Sequence, residues 1–541
     1  MKTTYRSIFK WGDKREEKLE KGVVELVKEQ FQYTDADFDK RVLYGDREIV
    51  LDQKPKIPAA IRQQFEDISG SENVRWDDYS RASHAFGKFY SDLLYLRKGE
   101  IATPPDLVVF PRSENEVEQI LALCQQKNIA ITPTGALSSV TRGAETPRGG
   151  ISLDLTKHLN KILKVNRVNS TVRVEPGVYG PALEKYLNEH GYTCGHFPQS
   201  FEYSTVGGWV AARGAGQAST GYGKIEELVL ALRVVTPAGI IETKDFPATA
   251  EAWDLNKIFI GSEGTLGIIT SITLKIRKYR PENSAFASFV FKDFASATLA
   301  MRQIMQAGFG FPHLFRLSDP VETTTAFKIK GFDGSFSDRF LKMKGYRPGE
   351  RCLMFVSIEG DKEYTHLVKK KIKRIARKSG GFYSGVKPVK EWLKQRYESA
   401  YLRDPLMDVG VMTDTVETSV TWDNLLNLWM NVRKYLESRA KTHVMAHISH
   451  VYENGANLYF TFLSPMKQGD EMEDYLNYHR GLIDAIHNNG GSLSHHHGIG
   501  RALAPWMENE MGKTAMNLLQ AIKDNLDPKG IMNPGNTLGL R

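Results

Sequence analysis

A chain of 541 residues, 41% apolar and 25% charged, is long enough for more than one hydrophobic core and has the make-up of an ordinary globular protein. Its formal charge of +8 is too modest at this length to indicate nucleic-acid binding, and no apolar run approaches the roughly 18–20 residues that span a bilayer. Three cysteines (Cys124, Cys194, Cys352) without a CxxC pair argue against a disulfide framework or zinc knuckle and fit a reducing compartment.

Residues 1–98 read as a charged helical extension. Apolar positions recur at helical spacing in Lys14–Phe31, Pro58–Ile68 and Ala82–Arg97, with no catalytic constellation among them. The opening MKTTYRSIFKWGDKREE lacks the apolar core of a secretory signal. A second unit is expected over 99–280. Leu107–Phe110 is a short strand, and Ser113 with Glu116 has the spacing of a capping box before a helix through Val117, Ile120, Leu121 and Leu123. Ile129–Ile131 leads into the tight loop Pro133, Thr134, Gly135, Ala136, Leu137, Ser138, Ser139, a form that can wrap phosphates. Further strands are expected at Ile151–Leu155 and Thr171–Glu175, and a helix at Pro181–His190.

The stretch Pro198–Gly223 is rich in glycine and hydroxyl residues. It suits close backbone approach to a large anionic ligand, most of all at Gly207 and Gly208 after Ser204 and Thr205. Val229–Thr236 and Ile240–Thr243 flank a hairpin turn. A second glycine cluster, Gly261–Gly267, precedes the alternating strand Ile269–Ile276. No G-x-G-x-x-G follows a strand and opens a helix, which disfavours a nicotinamide-binding domain.

From about 281 to 490 strands alternate with helices. Ala285–Phe291, Leu353–Ile358, Met412–Val416, His443–Val451 and Asn457–Phe462 read as strands, and 293–307, 361–378, 421–439 and 470–489 as helices. The pattern predicts an antiparallel sheet with helices on one face. Within it KKKIKRIARK (369–378) has one apolar and one cationic helix face, either a solvated surface or a patch for anionic lipid headgroups or substrates. The final segment, 491–541, opens with three adjacent histidines and closes in a run of turn residues.

HFPQSFEYSTVGGW (196–209), IFIGSEGTLGIIT (258–270), AYLRD (400–404), VETS (416–419) and GGSLSHHHGIG (490–500), with RASHAFGKFYSDLLYLRKGE (81–100), carry a resemblance. Together they resemble the vanillyl-alcohol-oxidase-type flavin superfamily and, within it, the alkyldihydroxyacetonephosphate (alkylglycerone-phosphate) synthase family. The resemblance implies an α+β fold: a two-subdomain FAD-binding domain, an antiparallel-sheet cap, and a C-terminal segment returning to the FAD side. It carries FAD contacts over to Pro133–Ser139, to Gln199, Ser200, Ser204, Thr205, Gly207 and Gly208, to Ala212, Arg213, Gly214 and Ala215, and to Glu263, Gly264, Thr265, Leu266, Gly267, Ile268 and Ile269. Thr205 is expected beside the flavin. Gln199 departs from the family's aspartate, and the first loop is poorer in glycine than usual. With no histidine in that loop, the flavin is expected to be held non-covalently.

The family's reaction replaces the acyl chain of acyl-dihydroxyacetone phosphate with a long-chain fatty alcohol, without net redox change, using a reduced flavin as nucleophile. The resemblance makes Tyr459 the acid/base, which nearby cations must perturb if it is to act as a base. His495, His496 and His497 become the proton-handling loop, His497 the alcohol's base, and no metal is expected. Arg403 would hold the departing carboxylate, and Arg316 is a second substrate-binding arginine. The rival is an FAD-linked 2-hydroxyacid dehydrogenase. Such enzymes carry G-D-G-N-x-H and E-H-G-I-G, where this chain has Tyr459 and His496 in place of the histidine and glutamate. The remaining expectations are a homodimer, a cytoplasmic setting with peripheral membrane contact, no nucleic acid, and no S-K-L address at the terminus.

Overall fold

The computed structural model describes residues 3–12 and 18–539. Three main sheets organise it. Strands β1 (Val74–Arg75), β2 (Leu107–Val109), β3 (Ile131–Thr134) and β4 (Ile151–Asp154) form the first, in order β1-β2-β4-β3. Its inner pairs are parallel, with the helix Glu114–Lys127 as crossover. Ser113 caps that helix through the Glu116 amide, and the Glu116 carboxylate reaches back to Arg112 N.

Next come β5 (Ile162–Asn166), β6 (Thr171–Val174), β7 (Tyr192–Thr193), β8 (Val229–Thr236), β9 (Gly239–Glu242), β10 (Ile268–Lys275) and β11 (Arg277–Lys278). Five of these make the antiparallel sheet β5-β6-β10-β8-β9, and β7 pairs with β11. Ile268 and Ile269 lie in the apolar cores flanking β10, so their side chains pack inward and do not face a ligand.

The third sheet comprises β12 (Ala285–Phe291), β13 (Leu314–Ser318), β14 (Cys352–Ile358), β15 (Phe382–Gly385), β16 (Val411–Thr421), β17 (His443–Ile448) and β18 (Gly455–Pro465), in order β15-β12-β14-β13-β17-β18-β16. One face packs Phe289, Met354, Val356, Phe315, Ala446, Phe460 and Val416 into the largest core. The helices Phe294–Met305, Lys362–Lys378, Leu425–Glu437 and Glu471–Asn488 cover this face.

Helices on one face alone is the expectation the structure corrects. Pro320–Ile329, Phe336–Met343 and Lys387–Lys394 cover part of the other face. The reason lies in the strands. Val290, Leu314, Leu353 and Phe355 point to that side as well and must be buried, here against Leu341, Tyr346, Val389 and Trp392. Beyond this apolar layer, β16–β18 turn polar side chains to the same face.

The N-terminal extension also differs from expectation. Its first long helix is Lys21–Phe31, packed on Leu406, Val411 and Leu463 of the third-sheet unit; residues 14–17 of the expected helix lie outside the described residues. Ala82–Arg97 is not continuous but splits into Asp78–Ser83 and Tyr90–Lys98. The break lets the turn between them meet the loop after β3. Lys88 N donates to Ser139 O at 2.6 Å, and a Cβ on Gly87 would stand 2.5 Å from that oxygen. The turn's other side is anchored to the third-sheet unit: Arg403 Nη1 donates to Lys88 O at 2.8 Å. Behind it, buried Arg97 bridges Asp404 (3.0 Å) and Asp408 (2.7 Å), with Arg6 also on Asp408.

Candidate active site

Antiparallel register places the site's side chains in a row. Arg316 lies opposite Phe355, Ser318 opposite His447, His447 opposite Tyr459, and Tyr459 opposite Glu417. Because side chains alternate along a strand, Leu458 and Phe460 enter the core while Tyr459 faces the other way. The Tyr459 hydroxyl donates to Thr415 Oγ1 at 3.1 Å. The His447 ring lies nearly parallel to it, 4.8 Å between centroids and 18° between planes.

The loop after the helix Glu471–Asn488 folds over this row. Glu417, almost fully buried, holds it by accepting from Ser494 Oγ (2.7 Å) and from the amides of His495 (2.7 Å), His496 (3.1 Å) and His497 (2.9 Å). Burial alone would raise its pKa, but His496, through its charge and a side-chain hydrogen bond, together with His497 and His495, outweighs burial and holds the carboxyl well below its ordinary value. His495 is bonded to Tyr452 Oη at 2.6 Å and, through Nδ1, to His496 Nδ1 at 2.9 Å. The rings of His496 and His497 stand 6.0 and 5.6 Å from that of Tyr459. His496 and His497 are therefore brought to Tyr459, and His495 is tied to them through His496.

Protonation states follow from burial. Burial and His496 push His497 down to about 4, against the pull of Glu417, and burial with its histidine and lysine neighbours puts His495 well below its ordinary value. Both are neutral near pH 7 and can accept protons. For Tyr459 the expectation of a cation-lowered pKa fails. Burial pushes it up to about 12 against the Thr415 hydrogen bond, Glu417 and Asp414 add to the rise, and Arg403 has the smallest influence. Tyr459 stands as an acid.

Arg403 opens the helix Arg403–Asp408 and has a buried Nε without a hydrogen-bond partner, so the guanidinium keeps donor capacity. Arg316 reaches the same sheet face but is engaged by Glu322, whose other carboxylate oxygen meets His447 Nδ1 at 3.1 Å. Sequence reasoning missed Glu417, Tyr452, His447 and Glu322. Glu417 stood within the quoted VETS motif, and the period-two pattern of β16 could have placed it beside Tyr459.

A third imidazole, His450, lies with His495 and His496 so that one nitrogen of each falls within 4.8 Å of the others. These rings are already committed to Gly216 O, Ser449 Oγ, Tyr452 Oη and one another, and would hold a cation only by giving up those bonds.

The expected cofactor segments converge on the loop after β3. The amides of Gly135, Ala136, Leu137, Ser138 and Ser139 donate to no described residue, and Leu137 adopts φ +56°. A row of unpaired N–H groups is a ready anion cradle and fits a pyrophosphate. Thr205 packs against Gly135 and caps the helix Val206–Ala211 by accepting from Gly208 N, leaving its hydroxyl hydrogen free to donate. His196, buried beside Trp209, has both ring nitrogens unpartnered, and burial with Lys224 and His496 pushes its pKa to about 3.

Other segments are arranged differently from expectation. Gly207 accommodates Pro176, whose Cβ would lie 2.6 Å from an added Cβ, so its small size serves packing. The Gln199 amide bonds Arg396 O, Ser399 Oγ and Gln217 and does not face the cradle. The Arg213 side chain pairs with Glu226. Ser204 accepts from Trp209 Nε1. The Glu263 carboxylate takes the amides of Ile499 and Gly500, fastening the histidine loop to the cradle.

Two family models match the chain: an FAD binding domain over residues 105–244 and the C-terminal domain of FAD linked oxidases over residues 280–537. The alkyldihydroxyacetonephosphate synthase of Dictyostelium discoideum is 34% identical over 479 residues, covering 86% of this chain and 78% of that protein. The Trypanosoma brucei brucei synthase is 33% identical over 505 residues, 89% of this chain and 81% of that one. A solved alkyldihydroxyacetonephosphate synthase structure superposes with a TM-score of 0.83 at 30% identity, covering 98% of both chains. With FAD as its cofactor and the two-domain FAD-binding fold described above, the chain belongs to the alkyldihydroxyacetonephosphate synthase family.

Proposed function

We propose that the protein is an FAD-dependent alkylglycerone-phosphate synthase, exchanging the acyl chain of acyl-dihydroxyacetone phosphate for a long-chain fatty alcohol. The observation that carries the reading is the grouping of Tyr459, the Glu417-held histidines 495–497 and the incompletely engaged Arg403. The unpaired amides of 135–139, with Thr205 beside them, are the groups that would hold FAD. Bound reduced, the flavin supplies the nucleophilic ring that an exchange without net oxidation needs.

The protein's own groups do the rest. Arg403 takes the carboxylate of the departing acyl chain, for which a guanidinium fork is suited. Tyr459, protonated, donates to an oxygen of the bound substrate. His495, bonded to Tyr452 and His496, passes protons along the loop. The 2-hydroxyacid dehydrogenase reading is less favoured, because Tyr459 and His496 replace the histidine and glutamate that would hold its divalent cation.

The test is incorporation of labelled hexadecanol into product by flavin-loaded enzyme given acyl-dihydroxyacetone phosphate. Dye reduction by glycolate, lactate or 2-hydroxyglutarate in its place would reverse the assignment. Among the described residues no helix is long and apolar enough to cross a membrane. Peripheral contact is supported by the helix Phe336–Met343, which exposes Phe336 and Met343 beside Arg339, Lys342 and Lys344. Co-sedimentation with anionic but not neutral vesicles would bear it out.

A further inference from the structure

We infer that His447, oriented by Glu322, is the general base that takes the proton from the fatty alcohol's hydroxyl. This rests on the alcohol-accepting reading above and assigns that step to a residue outside the histidine loop. Three observations support it.

The first is orientation. Arg316 Nη2 donates to Glu322 Oε1, and Glu322 Oε2 meets His447 Nδ1 at 3.1 Å. With Nδ1–H donated to the carboxylate, the lone pair is on Nε2, to which no described residue hydrogen-bonds. The side chain is 12% exposed, so the ring is not sealed from solvent. An imidazole backed by a carboxylate at one nitrogen and open at the other is oriented to accept a proton, and the carboxylate balances the imidazolium charge that results.

The second is position along the sheet. One end of the row is apolar: Leu314, Phe355 and Val389 with Trp392, whose ring lies 5.4 Å from the Arg316 guanidinium carbon. The other end is Tyr459, Glu417 and the histidines. His447 stands between them, opposite both Ser318 and Tyr459 in register. A long-chain primary alcohol has one polar group, at its end. With its chain directed toward that apolar end, such an alcohol presents its hydroxyl to His447 on the way to the reacting end.

The third is the charge balance nearby. Arg316 is matched by Glu322, so this part of the face offers no spare cation to hold an anion, whereas Arg403 does. The headgroup and the leaving carboxylate therefore belong on the Arg403 side and the neutral alcohol on the His447 side. The groups facing His447 are Arg316 from β13, Glu322 from the helix Pro320–Ile329, Tyr459 from β18 and His496 from the C-terminal loop. Burial and Arg316 hold the imidazole below its ordinary pKa despite Glu322, so the free base is the neutral-pH form.

In the step, the alcohol O–H bond breaks and its proton goes to Nε2. The oxygen's electron pair forms the new bond to the substrate carbon. The acyl carboxylate has left with the pair of its own C–O bond, and the proton passes to solvent.

The experiment uses flavin-loaded enzyme and two readouts: single-turnover release of labelled fatty acid from acyl-dihydroxyacetone phosphate without alcohol, and incorporation of labelled hexadecanol. His447→Gln should lower incorporation about 100-fold, in line with the loss of one general base, while fatty-acid release stays within about threefold. Much of the loss should return with 2,2-difluorohexadecanol, whose hydroxyl is more acidic and needs less help. The parent's incorporation rate should fall in acid as His447 takes its proton, and the variant's should not follow it. Glu322→Gln, which keeps the ring but removes its charged support, should show a smaller loss of the same kind. Incorporation within threefold of the parent, equal loss of both readouts, or no gain with the fluorinated alcohol would each overturn the assignment. A parent enzyme that releases fatty acid but incorporates no alcohol would instead remove the function on which it rests.

Discussion

Replacing Glu417 with glutamine asks whether one buried charge holds the histidine loop. Oε1 accepts from Ser494 Oγ and from the amides of His496 and His497, and Oε2 accepts from His495 N. A carboxamide keeps one acceptor oxygen and turns an NH2 group toward a backbone N–H that cannot rotate away. Bonds to a charged acceptor contribute about 1.5–3 kcal/mol each against roughly 1 for neutral ones. One bond is lost, a donor–donor contact is gained and three bonds weaken, which together cost about 3–5 kcal/mol, the range for breaking a buried ion pair. At 1.4 kcal/mol per factor of ten, amide exchange over residues 490–500 should speed up by roughly two to three and a half orders of magnitude in Glu417→Gln. The sign with pH is fixed. Glu417's folded pKa lies below its ordinary 4.5, so its contribution is complete above about pH 4.5 and fades as pH falls through the folded value. Parent and variant should therefore converge in acid. Exchange within threefold of the parent at neutral pH, or a difference that persists unchanged in acid, would refute the idea that the carboxylate's charge holds the loop.

Tyr459→Phe should abolish alcohol incorporation yet keep bound flavin, with stability lowered by no more than about 1 kcal/mol for the Thr415 bond; retained turnover would remove Tyr459 from the chemistry. Gly87→Ala drives a methyl into Ser139 O and should cost about 1–3 kcal/mol, read as weaker FAD affinity in a flavin-fluorescence titration. Unchanged affinity would show that the turn and the cradle are independent. Lys523→Met removes a buried ammonium bonded to Thr265 O, Asp527 and Met532 O, leaving the Asp527 charge behind. It should lower the thermal midpoint through a loss of about 3–5 kcal/mol.

Much of the fold was legible from periodicity, because β8 and β12 and the long amphipathic helices each carry their own pattern. The strand β13 was not, since five residues with an arginine at the centre give no clean alternation. The break at Gly87 was hidden for another reason: its cause is Ser139, 52 positions away in the chain, and the local sequence remains helix-compatible. At the site, Tyr459 and the histidines came from motif resemblance, while the dependence of the loop on Glu417 came only with register. The Glu322–His447 pair lies 125 residues apart on a helix and a strand, and neither residue stands in a motif that announces the other. The expected lowering of Tyr459's pKa failed because burial, which a single sequence does not display, outweighs nearby cations.

The ion pair between Arg6 and Asp408 joins partners 402 positions apart, and Arg97 joins the same carboxylate. On the ribosome, the amino-terminal helices emerge long before their acceptors exist. At about 5–20 residues per second, roughly 20–80 s of elongation separates them. Until Asp404 and Asp408 appear, Arg97 has no carboxylate of that helix to meet, and the turn that braces Ser139 has no Arg403 to anchor it. Assembly of the cradle is thus set by the arrival of the later unit and not by order of synthesis. Slowing translation should lengthen the interval in which nascent chains are captured by chaperones, while refolding of the finished chain is spared that delay.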